Sequence, residues 1–235
     1  LDFHTDMDDY FAAKRILFTD LEPGTAIVNA DDPYGSRLAA ELGSGTLTYS
    51  AAGAAAALAA KDVHFDATGA TFTLPDAGTV RTGLPGNFNV ANALAAYATA
   101  TALGVAPGDA AAALAEAPAP PGRLEPVDEG QEFAVLVDYA HTPDSLENVL
   151  RAAREFTAGR LISVFGAGGD RDRGKRPLMG RAGGELSDLA IVTSDNPRSE
   201  EPAAIVEEVA AGARGQVAEV RTEVDRRAAI ALALA

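Results

Sequence analysis

The chain has 235 residues, no cysteine, and 19 lysines and arginines against 34 aspartates and glutamates, a formal charge of −15. This length suits one large domain or two ordinary ones. The lack of cysteine excludes disulfides, a cysteine nucleophile and a cysteine-ligated metal, and it is typical of the reducing cytoplasm. The acidic charge disfavours nucleic acid as a partner. No long, strongly apolar run is present, so we expect no membrane span.

The first half of the sequence predicts a mixed α/β domain. Its apolar residues recur at helical spacing in some segments and alternate in others, with turn residues between them. The predicted elements are a helix over 6–18, a strand over 25–29, a helix after Pro33, a strand over 45–49, antiparallel strands over 63–65, 71–74 and 80–82, a helix over 87–103 and a shorter helix after Pro107.

Residues 117–122 read Ala-Pro-Ala-Pro-Pro-Gly. Three prolines and one glycine in six residues predict a stiff, extended linker. We therefore expect one domain over residues 1–118, a linker over 119–122 and a second domain over 123–235.

In the second domain strands and helices alternate, which predicts right-handed βαβ units and a mostly parallel sheet. The expected strands cover 133–137 (buried), 161–165, 189–193 and 217–220, and the expected helices cover 143–156, 177–186, 202–213 and the residues from 225 onward. Polar segments follow three of these strands, at 138–141, 166–175 and 194–198. Ligands of such sheets bind beyond the carboxyl ends of the strands, so we expect these three loops to converge on one edge.

The glycine-rich loop at 166–171, Gly-Ala-Gly-Gly-Asp-Arg, follows a predicted strand. It approaches a dinucleotide-binding fingerprint, but Arg171 stands where the last glycine is needed. A P-loop is disfavoured because Arg176 replaces the hydroxyl residue after Lys175. An NAD(P)-binding oxidoreductase therefore remains an alternative. Residues 171–181 hold five cations and one acid, which suggests either an anion site or a solvated basic loop.

The segment at 195–198, Asp-Asn-Pro-Arg, also follows a predicted strand. It is either a plain turn or a ligand loop in which the planar fork of Arg198 binds a carboxylate and Asn196 donates and accepts. Asp138, at the end of another strand, either accepts from a ribose hydroxyl or simply precedes a helix capped by Thr142.

Two helices carry further candidates. The spacing of Asn89 and Asn92 puts both amides on one helix face, where they either cap the helix or contact an adenine edge. Lys14 lies among the apolar positions of its helix, and by itself this predicts only a side chain that extends to solvent.

Taken in order, four motifs resemble those of the Mur ligases, a family of ATP-dependent amino-acid ligases. They cover nearly the whole chain: Leu1-Asp2-Phe3-His4 with Tyr10-Phe11-Ala12-Ala13-Lys14, residues 84–96 from Leu84-Pro85-Gly86-Asn87 onward, Pro121-Gly122-Arg123-Leu124-Glu125, and Val137-Asp138-Tyr139-Ala140-His141-Thr142-Pro143. The resemblance implies part of a central ATPase domain, a mixed sheet with helices, followed by a Rossmann-like α/β C-terminal domain.

The loops at 166–177 and 195–198 together resemble the diaminopimelate-adding members of this family. The distal carboxylate of diaminopimelate, which lysine lacks, would suit a buried arginine. The residue roles that the resemblance implies are magnesium support by a carbamylated Lys14, adenine contacts by Asn89 and Asn92, ribose contacts by Arg123 and Asp138, and diaminopimelate binding by Arg171, Asn196 and Arg198.

The implied reaction uses ATP and Mg²⁺ to phosphorylate the D-Glu carboxylate of UDP-MurNAc-L-Ala-D-Glu, after which the amine of meso-diaminopimelate attacks the acyl phosphate. We expect a monomer. Lysine-adding or folylpolyglutamate-type ligases and a non-catalytic amino-acid-binding protein remain alternatives. The family's phosphate loop, its magnesium-side histidine before Leu1, its uridine-binding domain and the residues after Ala235 are missing from the sequence. We therefore expect a fragment that is inactive by itself.

Overall fold

The structure, a computed structural model, describes residues 3–21 and 24–235. It divides into two compact units, Leu1–Pro120 and Pro121–Ala235. The division falls inside the proline-rich segment at 117–122. Within the described ranges, no helix has the length and apolar character that crossing a bilayer requires.

The first unit opens with a helix and a small parallel sheet. Helix α1 (Met7–Thr19) begins at Asp6, whose carboxylate accepts the Asp9 amide at 2.8 Å. The sheet has the order β1-β2-β3, and all its pairs are parallel. Its elements are β1 (Ala26–Asn29), α2 (Pro33–Leu42), a 3-10 turn (Gly43–Gly45), β2 (Thr46–Ser50) and β3 (Leu58–Ala59). The short β3 was not predicted, because it lies in an alanine-rich segment without alternation.

The main core of the first unit joins helices α3 and α4 to residues of the parallel sheet and of a second, antiparallel sheet. The order of the antiparallel sheet is β4-β5-β6, as the alternating segments predicted. Its elements are β4 (Lys61–Asp66), β5 (Gly69–Leu74), β6 (Gly78–Thr82), α3 (Asn87–Ala102) and α4 (Pro107–Glu116). Val90, Leu94 and Tyr97 of α3 are at most 1% exposed and pack with Phe72 and Val80 of the sheet. Removing these side chains from water is the main stabilising contribution in this unit.

The second unit contains the predicted parallel sheet, with the order β11-β10-β9. Its elements are β7 (Glu125–Pro126), β8 (Leu136–Val137), α5 (Pro143–Glu155), β9 (Ile162–Phe165), α6 (Lys175–Leu186), β10 (Leu189–Val192), α7 (Pro202–Ala213), β11 (Glu219–Thr222) and α8 (Arg226–Leu234). The central strand β10 is buried along its full length, as expected for a parallel strand between two neighbours.

The prediction of a buried strand over 133–137 is wrong. Only Leu136–Val137 forms a strand, and it pairs antiparallel with Glu125–Pro126, outside the parallel sheet. Phe133 is 52% exposed and Val137 47% exposed. A short apolar run fits a surface ribbon as well as a core strand, so the pattern could not separate the two.

Helices α6 and α7 approach each other through glycines. A Cβ atom at Gly180 would lie 1.8 Å from the carbonyl oxygen of Val209, and one at Gly212 would lie 2.0 Å from that of Pro177. The two backbones are therefore closer than any side chain would permit.

An arginine is buried between the same two helices. The Arg176 side chain is 1% exposed, and its two terminal nitrogens bind Glu200 at 2.6 and 2.9 Å. One of them also binds Glu208 of α7 at 2.9 Å. The Arg176 guanidinium and the Asp170 amide hold the pKa of Glu200 down at about 2, and Arg173 and Arg176 lower the pKa of Glu208.

We predict that Gly180→Ala lowers the free energy of unfolding by about 1–3 kcal/mol, because α6 and α7 must move apart. Calorimetry or urea unfolding followed by circular dichroism measures the change. Gly159→Ala is the matched control, because a Cβ at Gly159 meets no atom within 4 Å. Equal stability of the two variants would contradict the close contact.

We also predict an acid-dependent loss of stability from Glu200. Its folded-state pKa is about 2 and its ordinary value is 4.5, so its contribution is present above about pH 4.5 and is lost as the pH falls toward 2. Urea unfolding between pH 6 and pH 2.5 should show a shallower acid dependence in Glu200→Gln than in the unchanged chain. Glu201→Gln is the control, since the Glu201 side chain makes no capping hydrogen bond. Identical slopes in both variants would refute the assignment.

Candidate functional site

Two loops meet at the carboxyl ends of β9 and β10. Their strands are in register, with Phe165 opposite Val192, so the loops that follow begin side by side. The Gly169 amide donates to the Asn196 carbonyl at 2.8 Å, and the Arg198 guanidinium donates to the Gly169 carbonyl at 2.8 Å. A Cβ at Gly169 would lie 1.9 Å from the Pro197 oxygen, so only glycine permits this contact.

Further bonds join the loops around Asp170. The Asp170 amide donates to Glu200 at 2.7 Å, and the Asp170 carboxylate accepts the Ser199 hydroxyl at 2.7 Å. Asp170 and Arg198 both have a φ of 51°, in the left-handed region that is unfavourable for residues other than glycine. Such conformations persist only where surrounding contacts fix them, as the bonds between the loops do here.

Arg171, Asn196 and Arg198 lie on these two loops, and all three are exposed. No carboxylate in the described parts of the chain pairs with Arg171. Arg198 uses one terminal nitrogen for Gly169, which leaves the rest of its planar fork available. The joined loops therefore present two guanidinium groups and an amide to solvent, a set suited to a small ligand that carries carboxylates.

Two of the acids on these loops, Glu200 and Asp170, are already bound by neighbouring groups. Glu200 is bound by Arg176 and by the Asp170 amide, and Asp170 is bound by Ser199. In a chain with a charge of −15, the pairing with Arg176 offsets the charge of Glu200 at this edge, where Asp195 remains exposed. The sequence did not predict the burial of Arg176, because no local pattern shows which cation of the basic segment 171–181 is buried.

Asp138 and Arg123 are also brought together within the second unit. The Asp138 carboxylate accepts the amides of Leu124 at 2.9 Å and Ala140 at 2.8 Å. The Arg123 guanidinium lies 5.5 Å from the centre of the Tyr139 ring. Asp138 thus ties the chain after the linker to the end of β8. The expectation that its loop follows a strand of the parallel sheet is wrong, because β8 pairs only with β7.

Asn89 and Asn92 lie at the start of α3 on one face, as their spacing predicted. Asn89 is buried, and its amide donates to the Pro85 carbonyl at 2.8 Å. Its side-chain oxygen accepts the Asn92 amide at 3.3 Å, while Asn92 itself is exposed. Asn89 therefore orders the turn before the helix and orients Asn92.

Lys14 is exposed on α1, with its amino group 5.4 Å from the centre of the Tyr10 ring. His4 contacts the same ring at 5.2 Å between centroids and binds Asp9 at 3.3 Å. Leu1 and Asp2, which begin the motif around Lys14, lie outside the described residues. In residues 3–21 and 24–235, no group of three or more His, Asp or Glu residues is arranged to hold a metal ion.

Comparison with known proteins gives results for both units. Residues 1–100 match the family model of the Mur ligase middle domain, and residues 122–235 match that of the Mur ligase glutamate ligase domain. The UDP-N-acetylmuramoyl-L-alanyl-D-glutamate–2,6-diaminopimelate ligase of Thermosynechococcus vestitus is 48% identical over 240 residues, covering 100% of this chain and 48% of that protein. The chain thus spans about half the length of the curated relatives it matches.

Solved structures agree with this result. A structure of a UDP-N-acetylmuramoyl-L-alanyl-D-glutamate–2,6-diaminopimelate ligase aligns with a TM-score of 0.64 and 34% identity, covering 98% of this chain and 49% of that one. MurF from Acinetobacter baumannii aligns with a TM-score of 0.73 and 21% identity, covering 97% of this chain and 49% of that one, which shows a shared fold alone. Since the middle-domain and glutamate-ligase models match in succession along almost the whole sequence, the chain belongs to the Mur ligase family.

Proposed function

We propose that this chain forms part of an ATP-dependent ligase that joins meso-diaminopimelate to the D-Glu carboxylate of UDP-MurNAc-L-Ala-D-Glu in peptidoglycan precursor synthesis. The observation that carries the proposal is the joining of two loops that expose Arg171, Asn196 and Arg198 at one sheet edge. The name of the 48% identical relative, a 2,6-diaminopimelate ligase, supports the same substrate.

The chemistry of this edge favours diaminopimelate over lysine. Diaminopimelate carries a second carboxylate beside its distal amine, whereas lysine carries only the amine. Two guanidinium forks bind two carboxylate groups, and a free guanidinium next to a bare ammonium is repulsive. In this proposal Arg198 and Arg171 bind carboxylates, and the Asn196 side chain accepts from an ammonium group.

The nucleotide contacts are proposed for the other candidate residues. Asn92, exposed and oriented by the buried Asn89, contacts the adenine edge. Asp138 uses one lone pair of each oxygen for a backbone amide, and its remaining lone pairs accept from ribose hydroxyls. Arg123, held near the Tyr139 ring, supplies a cation beside the ribose.

The proposed reaction has two steps. The D-Glu carboxylate oxygen attacks the γ-phosphorus of ATP, which releases ADP and forms an acyl phosphate. The amine of diaminopimelate then attacks the acyl carbon, phosphate leaves, and the amine loses a proton. The described residues of this chain bind and orient the amine-bearing substrate, which lowers the entropic part of the barrier.

Magnesium, when bound, offsets the charge of the transferring phosphoryl group. The described residues do not make a magnesium site by themselves, since no group of three suitable ligands occurs among them. We propose that Lys14, carbamylated by carbon dioxide, supplies one anionic group toward such a site, and we derive no step through the ion. We also propose that the ligase is a monomer and is located in the cytoplasm.

We predict that Arg198→Ala weakens diaminopimelate binding, because the fork that binds a carboxylate is lost. Calorimetric titration of meso-diaminopimelate into the complete protein in which this chain occurs measures it, with UDP-MurNAc-L-Ala-D-Glu and a non-hydrolysable ATP analogue present. Affinity should fall by at least about tenfold, the loss expected for a charged hydrogen bond. Arg160→Ala, at an exposed residue before β9, is the matched control.

L-lysine in place of diaminopimelate tests the rival, lysine-adding assignment. Binding of diaminopimelate alone, weakened in Arg198→Ala and kept in Arg160→Ala, supports the proposal. Equal binding of both amino acids, or unchanged affinity in Arg198→Ala, would overturn the substrate assignment and leave the family membership intact.

We further predict that Lys14 reacts with carbon dioxide. Carbon-13 NMR of the same protein in labelled bicarbonate should show a lysine carbamate signal that disappears in Lys14→Arg. Lys61→Arg, at an exposed residue of β4, should keep the signal. A signal that survives Lys14→Arg, or no signal at all, would contradict the role of Lys14.

A further inference from the structure

Arg176 is 1% exposed, although it lies in a segment of five cations that is otherwise largely exposed. An arginine without partners would not stay buried, because removal of its charge from water is costly. The structure supplies two carboxylates, Glu200 on the 194–201 loop and Glu208 on α7. Arg176 itself belongs to the first turn of α6, directly after the glycine-rich loop.

Glu200 connects this buried cation to both ligand loops. One of its oxygens accepts from Arg176 at 2.6 Å and from the Asp170 amide at 2.7 Å. The residue next to Asp170 is Arg171, and Arg198 lies two residues before Glu200. One carboxylate therefore joins the two backbone segments from which the proposed carboxylate-binding arginines extend.

Glu208 is the second carboxylate that binds Arg176, so its contacts can be compared with those of Glu200. It binds Arg176 at 2.9 Å and also pairs with Arg173, but it makes no bond to the backbone of either ligand loop. Glu200 and Glu208 thus neutralise the same buried charge. Glu208 contacts the glycine-rich loop only through the Arg173 side chain, whereas Glu200 bonds to the loop backbone at Asp170.

We infer that Arg176 and Glu200 are positioning residues that set the spacing between the Arg171 and Arg198 guanidinium groups and so determine recognition of a dicarboxylate amino acid. This inference rests on the proposed function. Arg176 holds the Glu200 carboxylate away from the site, where its free charge would repel a substrate carboxylate. Glu200 in turn holds Asp170 and the 198–200 backbone at a fixed separation. Neither residue touches the substrate, so neither is catalytic.

The test compares Glu200→Gln with Glu208→Gln in the complete protein, using steady-state kinetics for each substrate. Both variants remove one carboxylate from Arg176, so both should lower the melting temperature. Glu200→Gln should raise the KM for meso-diaminopimelate by about tenfold or more, as loss of a supporting partner commonly does. Its kcat and its KM for ATP should stay within about twofold, and Glu208→Gln should stay within about twofold in every constant.

Amide hydrogen exchange supplies a readout that does not depend on activity. The Asp170 amide donates to Glu200, so its exchange should be faster in Glu200→Gln and unchanged in Glu208→Gln. Equal KM shifts in the two variants would overturn the positioning role alone. So would an unchanged KM in Glu200→Gln while Arg198→Ala weakens binding. Unchanged binding in Arg198→Ala would overturn the proposed function and this inference with it.

Discussion

The burial of one positive charge organises the second unit. Water no longer solvates Arg176, so the fold must supply carboxylates at hydrogen-bonding distance, and it supplies two. Those carboxylates come from different elements, one from the 194–201 loop and one from α7. Helix α6, helix α7 and the ligand loop therefore share one arrangement in which both terminal nitrogens of Arg176 are paired with carboxylates, while its Nε atom is buried without a partner. The glycine contacts at Gly180 and Gly212 permit that arrangement, because they let the helices approach closely.

The same arrangement fixes the electrostatics of the proposed ligand edge. The charge of Glu200 is offset by Arg176, and the Asp170 carboxylate is held in place by the Ser199 hydroxyl. Arg171 has no carboxylate partner in the described part of the chain, and Arg198 keeps most of its donors free. An acidic protein can thus expose individual guanidinium groups to a ligand, because interactions at hydrogen-bonding distance are screened much less than those with distant charges. Asp170 and Arg198, with their left-handed backbones, depend on the bonds between the loops for their conformation.

The pattern of apolar and turn residues predicted the secondary-structure elements that depend on local interactions. The helix over 6–18, the antiparallel strands between 61 and 82, and the parallel sheet of the second unit follow from periodicity and turn residues, and the structure confirms them. The prediction of a buried strand over 133–137 was wrong, because burial depends on tertiary contacts that a short apolar run does not specify. Arg176 was missed for the same reason, since its partners lie 24 and 32 residues away in the sequence. The spacing of Asn89 and Asn92 predicted their shared face, but not that Asn89 is buried.

On the proposed function, the choice of amino-acid substrate depends on individual side chains and not on the fold. MurF shares the backbone arrangement of this chain at 21% identity, and a shared fold does not by itself assign an amino-acid substrate. Selection then falls to a few side chains at the strand ends and to whatever sets their separation. A guanidinium fork discriminates only when it is held in place, because a mobile arginine adapts to many anions and loses entropy on binding each one. A buried ion pair behind the loops provides that rigidity without occupying the site. On this argument the residues that decide specificity include two that the substrate never contacts.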